Sequence, residues 1–300
     1  MNIIENPSQR QKQVEELIQQ HGWAPEHNFF HFQNWENPGS QNFVFDFDAR
    51  GAILARQEKD DWHIFSEILA KPPSKLKILE EFLRFCFDNA KAKKVIVEFE
   101  SDFEQQARLW LENSPWHADS IDYSLTWPIF DLRQWGPSIP GQEWKTMRHA
   151  KNQFYKNRRV QIVDSRDCSK ESLKKIVDDW QSKRGGEDHT DHLPYLQAIE
   201  NGFLGTKFRR TIVVDDIPAT ITAGWETPNQ PGHYYSALGL HNYQCEYLGE
   251  AANLDDLDFL KSQNYHFANF GGGESALTNF KKKFKPASAY TTHIFAIKRS

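Results

Sequence analysis

The chain is poor in cysteine, in methionine and in long apolar runs. Its three cysteines, Cys86, Cys168 and Cys245, stand far apart in 300 residues. Their spacing matches no disulfide framework, metal finger or redox pair, which fits a reducing, cytoplasmic compartment. No segment approaches the roughly 18 consecutive apolar residues of a membrane span, and the N-terminal stretch MNIIENPSQRQKQVEELIQQ holds no apolar run of signal-peptide length. Low-complexity tracts are missing as well. Against these absences stand 22 Phe and 10 Trp. That aromatic load exceeds the needs of a minimal core, so part of it is expected to line a cleft. With 39% apolar residues the chain has material for two domains, each with a core of its own.

Charge is unevenly spread. Residues 1–135 hold 14 Lys+Arg against 22 Asp+Glu, whereas residues 136–300 hold 22 against 19. The overall charge of −5 therefore joins an acidic half to a mildly basic one. An anionic partner is expected to meet the second half.

Read in order, the chain shows one pattern twice. Gln9 to His21 is a polar helix with Val14, Leu17 and Ile18 inside, and Gly22 ends it. Strands follow at Asn42 to Asp48, Gly51 to Gln57 and Trp62 to Ala70, then a helix from Ser74 to Ala90. Strand Lys94 to Phe99, helix Asp102 to Glu112 and strand Ile121 to Leu132 complete the set. The segment Arg133 to Gln142 carries two prolines and two glycines and reads as a linker, which divides the chain into domains 1–135 and 136–300. A basic helix, Trp144 to Arg159, opens the second domain. A helix starting at Ser169, a polar loop from Gly185 to Pro194 and a short helix from Tyr195 to Asn201 come next. Three strands (Phe208 to Val214, Pro218 to Trp225, His233 to Leu240), helix Ala251 to Ser262, strand His266 to Phe270, helix Glu274 to Phe284 and strand Tyr290 to Lys298 then repeat the first order. The spacing predicts an α/β protein of two duplicated units with mixed sheets.

The second unit carries the informative stretch. In NYHFANFGGGESALTNFKKKFK, a short strand runs into Gly271, Gly272 and Gly273, and Glu274 opens a helix. Such a turn brings backbone N–H groups close to an anion or a carbonyl. Ala276, Leu277, Phe280 and Phe284 form the inner stripe, so Lys281, Lys282 and Lys283 fan outward. Where the second unit has Gly271 to Glu274 the first has Glu100-Ser-Asp, without glycines or lysines, so the first unit is expected to be structural. The loop before helix Ala251 to Ser262 contains Glu246-Tyr-Leu-Gly249-Glu-Ala251. Asp188-His189-Thr-Asp191-His192 has two His three apart, but no third ligand, and is read as part of an acceptor pocket with no metal.

These motifs resemble a known superfamily. A strand, a Gln/Arg-x-x-Gly-x-Gly/Ala loop and a helix are the pyrophosphate loop of GNAT-fold acyltransferases, and here Glu246 replaces the Gln/Arg. Asn269-Phe-Gly-Gly-Gly-Glu-Ser275 with Phe280-Lys-Lys-Lys-Phe284 is similar to the C-terminal signature of phosphatidylglycerol lysyltransferases and their soluble, Fem-like relatives. The resemblance implies two tandem GNAT-like units with the active cleft in the second. It implies transfer of an aminoacyl or acyl group from aminoacyl-tRNA or acyl-CoA, as co-substrate, to an amine or hydroxyl on a small-molecule acceptor. It maps the signature lysines onto Lys281 and Lys283.

Acyl transfer needs oxyanion stabilisation, a proton relay and cations for the carrier. Glu274, Lys281 and Tyr235 are the candidate catalytic residues. Gly271, Gly272, Gly273, Gly249, Lys283, Arg148, Lys151 and Arg158 are the candidate substrate and carrier contacts, with tRNA a partner of the basic helix. An acyl-CoA-dependent N-acyltransferase and a non-catalytic ligand- or RNA-binding protein of the same fold stay open as alternatives.

Overall fold

Alternation of side chains decides the first sheet. In the strand Ser40–Asp46, Phe45 packs into one core and Val44 into another, and in Ala52–Glu58 the same division separates Ile53 and Ala55 from Ala52 and Leu54. Both faces of this sheet are therefore buried. The computed structural model describes residues 1–136, 139–184 and 189–300. The chain divides into two units, one of residues 1–127, 227–230 and 290–300, the other of residues 128–226 and 231–289.

In the first unit, Asn2–Ile4 (β1), Ser40–Asp46 (β2), Ala52–Glu58 (β3) and Asp61–Ile64 (β4) pair antiparallel in sequence. Lys94–Glu100 (β5) joins β4 in parallel. The helices Pro72–Arg84 (α3), with a prolyl first turn, and Ser101–Leu111 (α4) cover one face through Ile78, Leu79, Phe82, Phe103 and Ala107. Gln11–His21 (α1) and Phe29–Asn34 (α2) cover the other through Val14, Ile18, Phe29 and Phe32. Short strand Trp116–Ala118 (β6) and the first half of Tyr123–Asp131 (β7) end the unit's main run.

In the second unit, the basic helix Lys145–Tyr155 (α5) leads to Val160–Asp164 (β8), Lys170–Arg184 (α6) and Leu193–Glu200 (α7). Phe208–Val214 (β9) pairs with β8, with Ile217–Pro218 (β10) and with Thr220–Glu226 (β11), and β11 pairs with His233–His241 (β12), all antiparallel. Leu248–Ser262 (α8) crosses to Phe267–Asn269 (β13), which lies parallel to β12. Ser275–Lys282 (α9) and Ser288–Arg299 (β14) follow. Leu173, Ile176 and Trp180 of α6 pack on Ile221, Ala223, Leu238 and Leu240, while Leu254, Leu257 and Leu260 of α8 pack with Ala268 and Phe270.

The duplication read in the sequence is present as topology. The order β2-β3-β4-β5 and the order β9-β11-β12-β13 share the same antiparallel, antiparallel, parallel pairing. The closing strands are exchanged. β14, which the sequence pattern assigns to the second unit, pairs with β5 from Thr292–Glu100 to Ile297–Val95, whereas Ile129–Asp131 of β7 pairs with β13. A period-two pattern fixes which face of a strand is buried, not which edge it joins, so this exchange leaves no trace in the sequence.

Other elements differ in length. The expected strand Trp62 to Ala70 stops at Ile64 because Ser66 takes a positive φ of 55°, and Leu69 only bridges Ala52. The basic helix ends at Tyr155, not Arg159, since Lys156 is extended and Asn157 has φ 69°. Pro137 and Ser138 of the expected linker, and Gly185 to Asp188 of the expected polar loop, lie outside the described residues.

Candidate functional site

Tyr235 and Asn269 form the last rung of the parallel pair β12 and β13. Past this rung β12 runs on to His241, while the other chain turns away through Phe270 and Gly271. The strands part here. Gly271 adopts φ 81°, a left-handed conformation that favours glycine, and its N–H donates to Asn269 Oδ1 at 2.8 Å. That N–H, expected to be available to a ligand, is thus already engaged. Among Gly271, Gly272 and Gly273 only Gly271 has a positive φ. Glu274 precedes α9, and Thr278 Oγ1 in its first turn donates to Gly273 O at 2.8 Å.

Lys281 is not a solvated cation of a helix end. Its side chain runs back along α9 towards the helix start, the direction that helical Cα–Cβ bonds favour. There Nζ donates to Phe270 O at 2.5 Å and to Gly271 O at 2.8 Å, with the residue 5% exposed. Burial first, and the positive charge of Arg184 second, pull its ammonium down to about 7. Tyr235, buried, packs edge-on against Trp225 at 5.3 Å. A Cβ on Gly271 would stand 3.8 Å from the Tyr235 hydroxyl and 3.9 Å from Lys281 Nζ. Gly271 thus brings the backbone between a phenol and an amine, at ordinary contact distance from both.

A β-bulge sets the height of Tyr235. The β11 and β12 register shifts between Ala223 and Gly224, and a Cβ on Gly224 would fall 1.9 Å from the Tyr235 carbonyl oxygen. Only glycine permits that approach.

Glu274 sits at the edge of this arrangement. Its carboxylate accepts the His189 main-chain N–H and faces the ring Nδ1, both at 3.2 Å. His189 is thereby tied to the residue that precedes α9.

The remaining expected contacts are spread over the unit. Gly249 lies buried in the first turn of α8, where a Cβ would meet the His241 ring at 3.1 Å and Phe280 at 3.2 Å. Lys283 pairs with Glu250 at 2.9 Å, joining α9 to α8, while Lys282 is exposed. Arg148 and Lys151 of α5, and Arg158 beyond its end, are held by the protein itself. Arg148 donates to the carbonyls of Ile139 and Gly141, Lys151 pairs with Asp258 at 3.0 Å, and Arg158 donates to Phe154 O and Glu246 O. Glu246 is exposed.

Sequence reading gave no role to Asn269, Arg184 or His241. Asn269 stands inside the glycine motif and was legible there in principle. The other two are placed by long-range packing and carry no local signal. No group of three or more His, Cys, Asp or Glu that could hold a metal occurs among the described residues, and Asp188 of the expected loop lies outside them. Among the described residues no helix is long and apolar enough to cross a membrane.

Solved structures match the fold over nearly the whole chain. L-PGS from Bacillus licheniformis matches with a TM-score of 0.67 at 13% identity, over 96% of this chain and 92% of that one. FemX matches with a TM-score of 0.64 at 11% identity, over 99% and 97%. A tandem GNAT protein from the clavulanic acid biosynthesis pathway matches with a TM-score of 0.61 at 10% identity, again over 99% and 97%. The fold is the tandem GNAT fold. The resemblance read from the glycine and lysine motifs is thus matched in three dimensions across nearly the whole chain. No protein-family model and no curated protein matches the sequence. Lys281, Tyr235 and Gly271 lie together at the end of the parallel strand pair in the second unit, and the contacts of Glu274 are with His189.

Proposed function

We propose that the protein is an aminoacyl- or acyltransferase that works in its second unit, moving an aminoacyl or acyl group from a tRNA or CoA carrier to an amine or hydroxyl acceptor. One observation carries this reading. Lys281 Nζ is held on two carbonyls beside Gly271, where the Tyr235 hydroxyl also comes close. A neutral amine has two N–H donors and one lone pair. With both donors on Phe270 O and Gly271 O, the lone pair is left for a proton.

The chemistry follows from that geometry. The acceptor attacks the carbonyl carbon of the donor ester or thioester, and its proton passes to Lys281 Nζ. The Tyr235 O–H is the donor for the carbonyl oxygen as it gains charge. Collapse of the tetrahedral intermediate breaks the bond to the carrier, and the proton on Lys281 goes to the leaving oxygen or sulfur. Glu274, fixed by His189, is the counter-charge for a cationic acceptor. The likeness to L-PGS, FemX and the tandem GNAT protein supports a transferase of this kind. The exposed carboxylate of Glu246 and the packing of His241 and Phe280 over Gly249 favour a carrier other than CoA, since both oppose a pyrophosphate at the start of α8.

The test is a transfer assay with acetyl-CoA, longer acyl-CoAs and a panel of aminoacyl-tRNAs against small amines and alcohols. Transfer that falls about a hundredfold in Lys281→Met, with the fold intact, is expected. Unchanged transfer in that variant would remove Lys281 from the mechanism, and absence of transfer from every donor would leave the non-catalytic reading ahead.

A further inference from the structure

The first unit has the same parting of parallel strands, and its gap is filled. β4 and β5 pair from Asp61–Lys94 to His63–Ile96. The chain then leaves β5 through Phe65 and Ser66, while β5 continues to Glu100. Glu67 enters the space. One carboxylate oxygen accepts the Glu100 N–H at 2.7 Å, and the other accepts Lys75 Nζ at 3.0 Å. The strand N–H that a partner strand would have taken is thus satisfied by a side chain.

Two ring contacts fix the ammonium, and a histidine fixes the main chain of Glu67. Lys75 Nζ lies 4.0 Å from the Trp23 ring centre and 4.7 Å from that of Phe103. His27 Nδ1 accepts the N–H groups of Trp23 and Ala24 at 3.1 and 3.2 Å, so its proton is on Nε2, which donates to Glu67 O at 2.9 Å. Burial keeps that imidazole neutral by pulling it down to about 4. Glu67, Lys75 and His27 are 4%, 6% and 1% exposed. A buried ion pair of this kind is weak evidence for stability, since desolvation offsets its attraction. Its geometry is that of a ligand in a site: an ammonium and a backbone N–H converging on one carboxylate, with aromatic walls.

We propose that the gap in the first unit is a carboxylate-binding site whose occupant is the protein's own Glu67, so that it is closed to substrate in the native chain and takes a small monocarboxylate once Glu67 is cut back. The two units then differ in one chemical respect. At the parting of its strands the second unit holds an amine on two carbonyls, and the first holds a carboxylate on an N–H and an ammonium.

The test is chemical rescue, which needs no knowledge of the substrate. Glu67→Ala, purified in formate and compared by thermal denaturation in sodium formate and in sodium chloride of equal ionic strength, is expected to have a Tm about 10 °C below the native chain in chloride. Formate replaces the lost carboxylate, and about 100 mM is expected to recover about 3 °C or more. The native chain, Glu67→Gln and Glu67→Ala/Lys75→Met are expected to show no formate-specific gain, because the site is filled in the first two and lacks its cation in the third. A folded Glu67→Ala protein with equal Tm in both salts overturns the proposal. So does an equal formate gain in the double variant, and so does a Glu67→Ala chain that stays unfolded in formate while Glu67→Gln folds.

Discussion

Lys281 Nζ lies 2.8 Å from the carbonyl oxygen of Gly271, ten residues earlier in the chain, at a site that pulls the ammonium down to about 7. The unfolded chain holds that proton up to about 10.4. Between these values the unfolded state binds more protons than the folded one, so stability rises with pH through the window and the penalty is complete below the folded value. Lys281→Met removes this dependence. Comparison of the two proteins by denaturation from pH 6.5 to 9.5 is expected to show the native chain gaining on the variant, by a few kcal/mol over the range. A constant difference would show that the amine titrates normally when folded.

The same amine gives the rate a pH limb. As a base Lys281 acts only when neutral, so kcat/KM for transfer is expected to rise as pH passes upward through about 7. Lys281→Arg keeps a cation that stays protonated and is expected to lose the limb together with most of the activity. A limb that persists in Lys281→Arg would assign it to another group.

Glu274 and His189 are expected to act together. Replacing His189 by Ala removes the ring contact while the main-chain N–H stays, and the carboxylate becomes free to rotate. The KM for a cationic amine acceptor is expected to rise several-fold with little change in kcat. His189→Asn, whose side-chain nitrogen can stand where Nδ1 does, is expected to recover much of it. If Glu274→Gln leaves the KM for the amine unchanged, the carboxylate does not meet the acceptor.

How much of this was legible depends on the range of the interaction. The glycine turn and the helix after it are local, and short motifs carry them. What Lys281 does is not local: the spacing of Phe280, Lys281 and Phe284 suits an outward lysine, and only the parting of β12 and β13 turns its amine inward. The α5 cations show the converse. Lys151 reads as a free charge along the chain, yet its partner Asp258 lies 107 residues away. The exchanged strands β7 and β14 are equally silent, because alternation marks a face and not a neighbour.

The α5 pairings lead to a prediction about RNA. Lys151 and Asp258 are both half-buried, and Trp135 Nε1 donates to the other Asp258 oxygen at 2.7 Å. Lys151→Ala is expected to lower stability by about 1 kcal/mol. It is expected to leave the salt dependence of any tRNA binding unchanged, and so is Arg158→Ala. A cation that contacts phosphate would reduce the slope of log K against log salt by about 0.7 when removed. A reduced slope in either variant would show that the residue leaves its internal partner for RNA.

Gly224→Ala tests whether the bulge positions Tyr235. Elsewhere in a strand the change from glycine to alanine is mildly favourable, because it reduces the freedom of the unfolded chain. Here the new methyl would lie 1.9 Å from the Tyr235 carbonyl oxygen and 2.9 Å from the Tyr234 ring, and the first of these is backbone that cannot step aside without moving β12. The steric term wins, and a loss of about 3 kcal/mol or more is expected. The variant also separates stability from function. Tyr235 is the last residue of β12 in the parallel ladder, so a shift of its backbone moves the phenol away from Gly271 and Lys281. At a temperature where the variant is fully folded, transfer is expected to fall further than the loss of stability explains, with a rate close to that of Tyr235→Phe. A folded Gly224→Ala protein with native activity would show that the phenol has no part in the reaction.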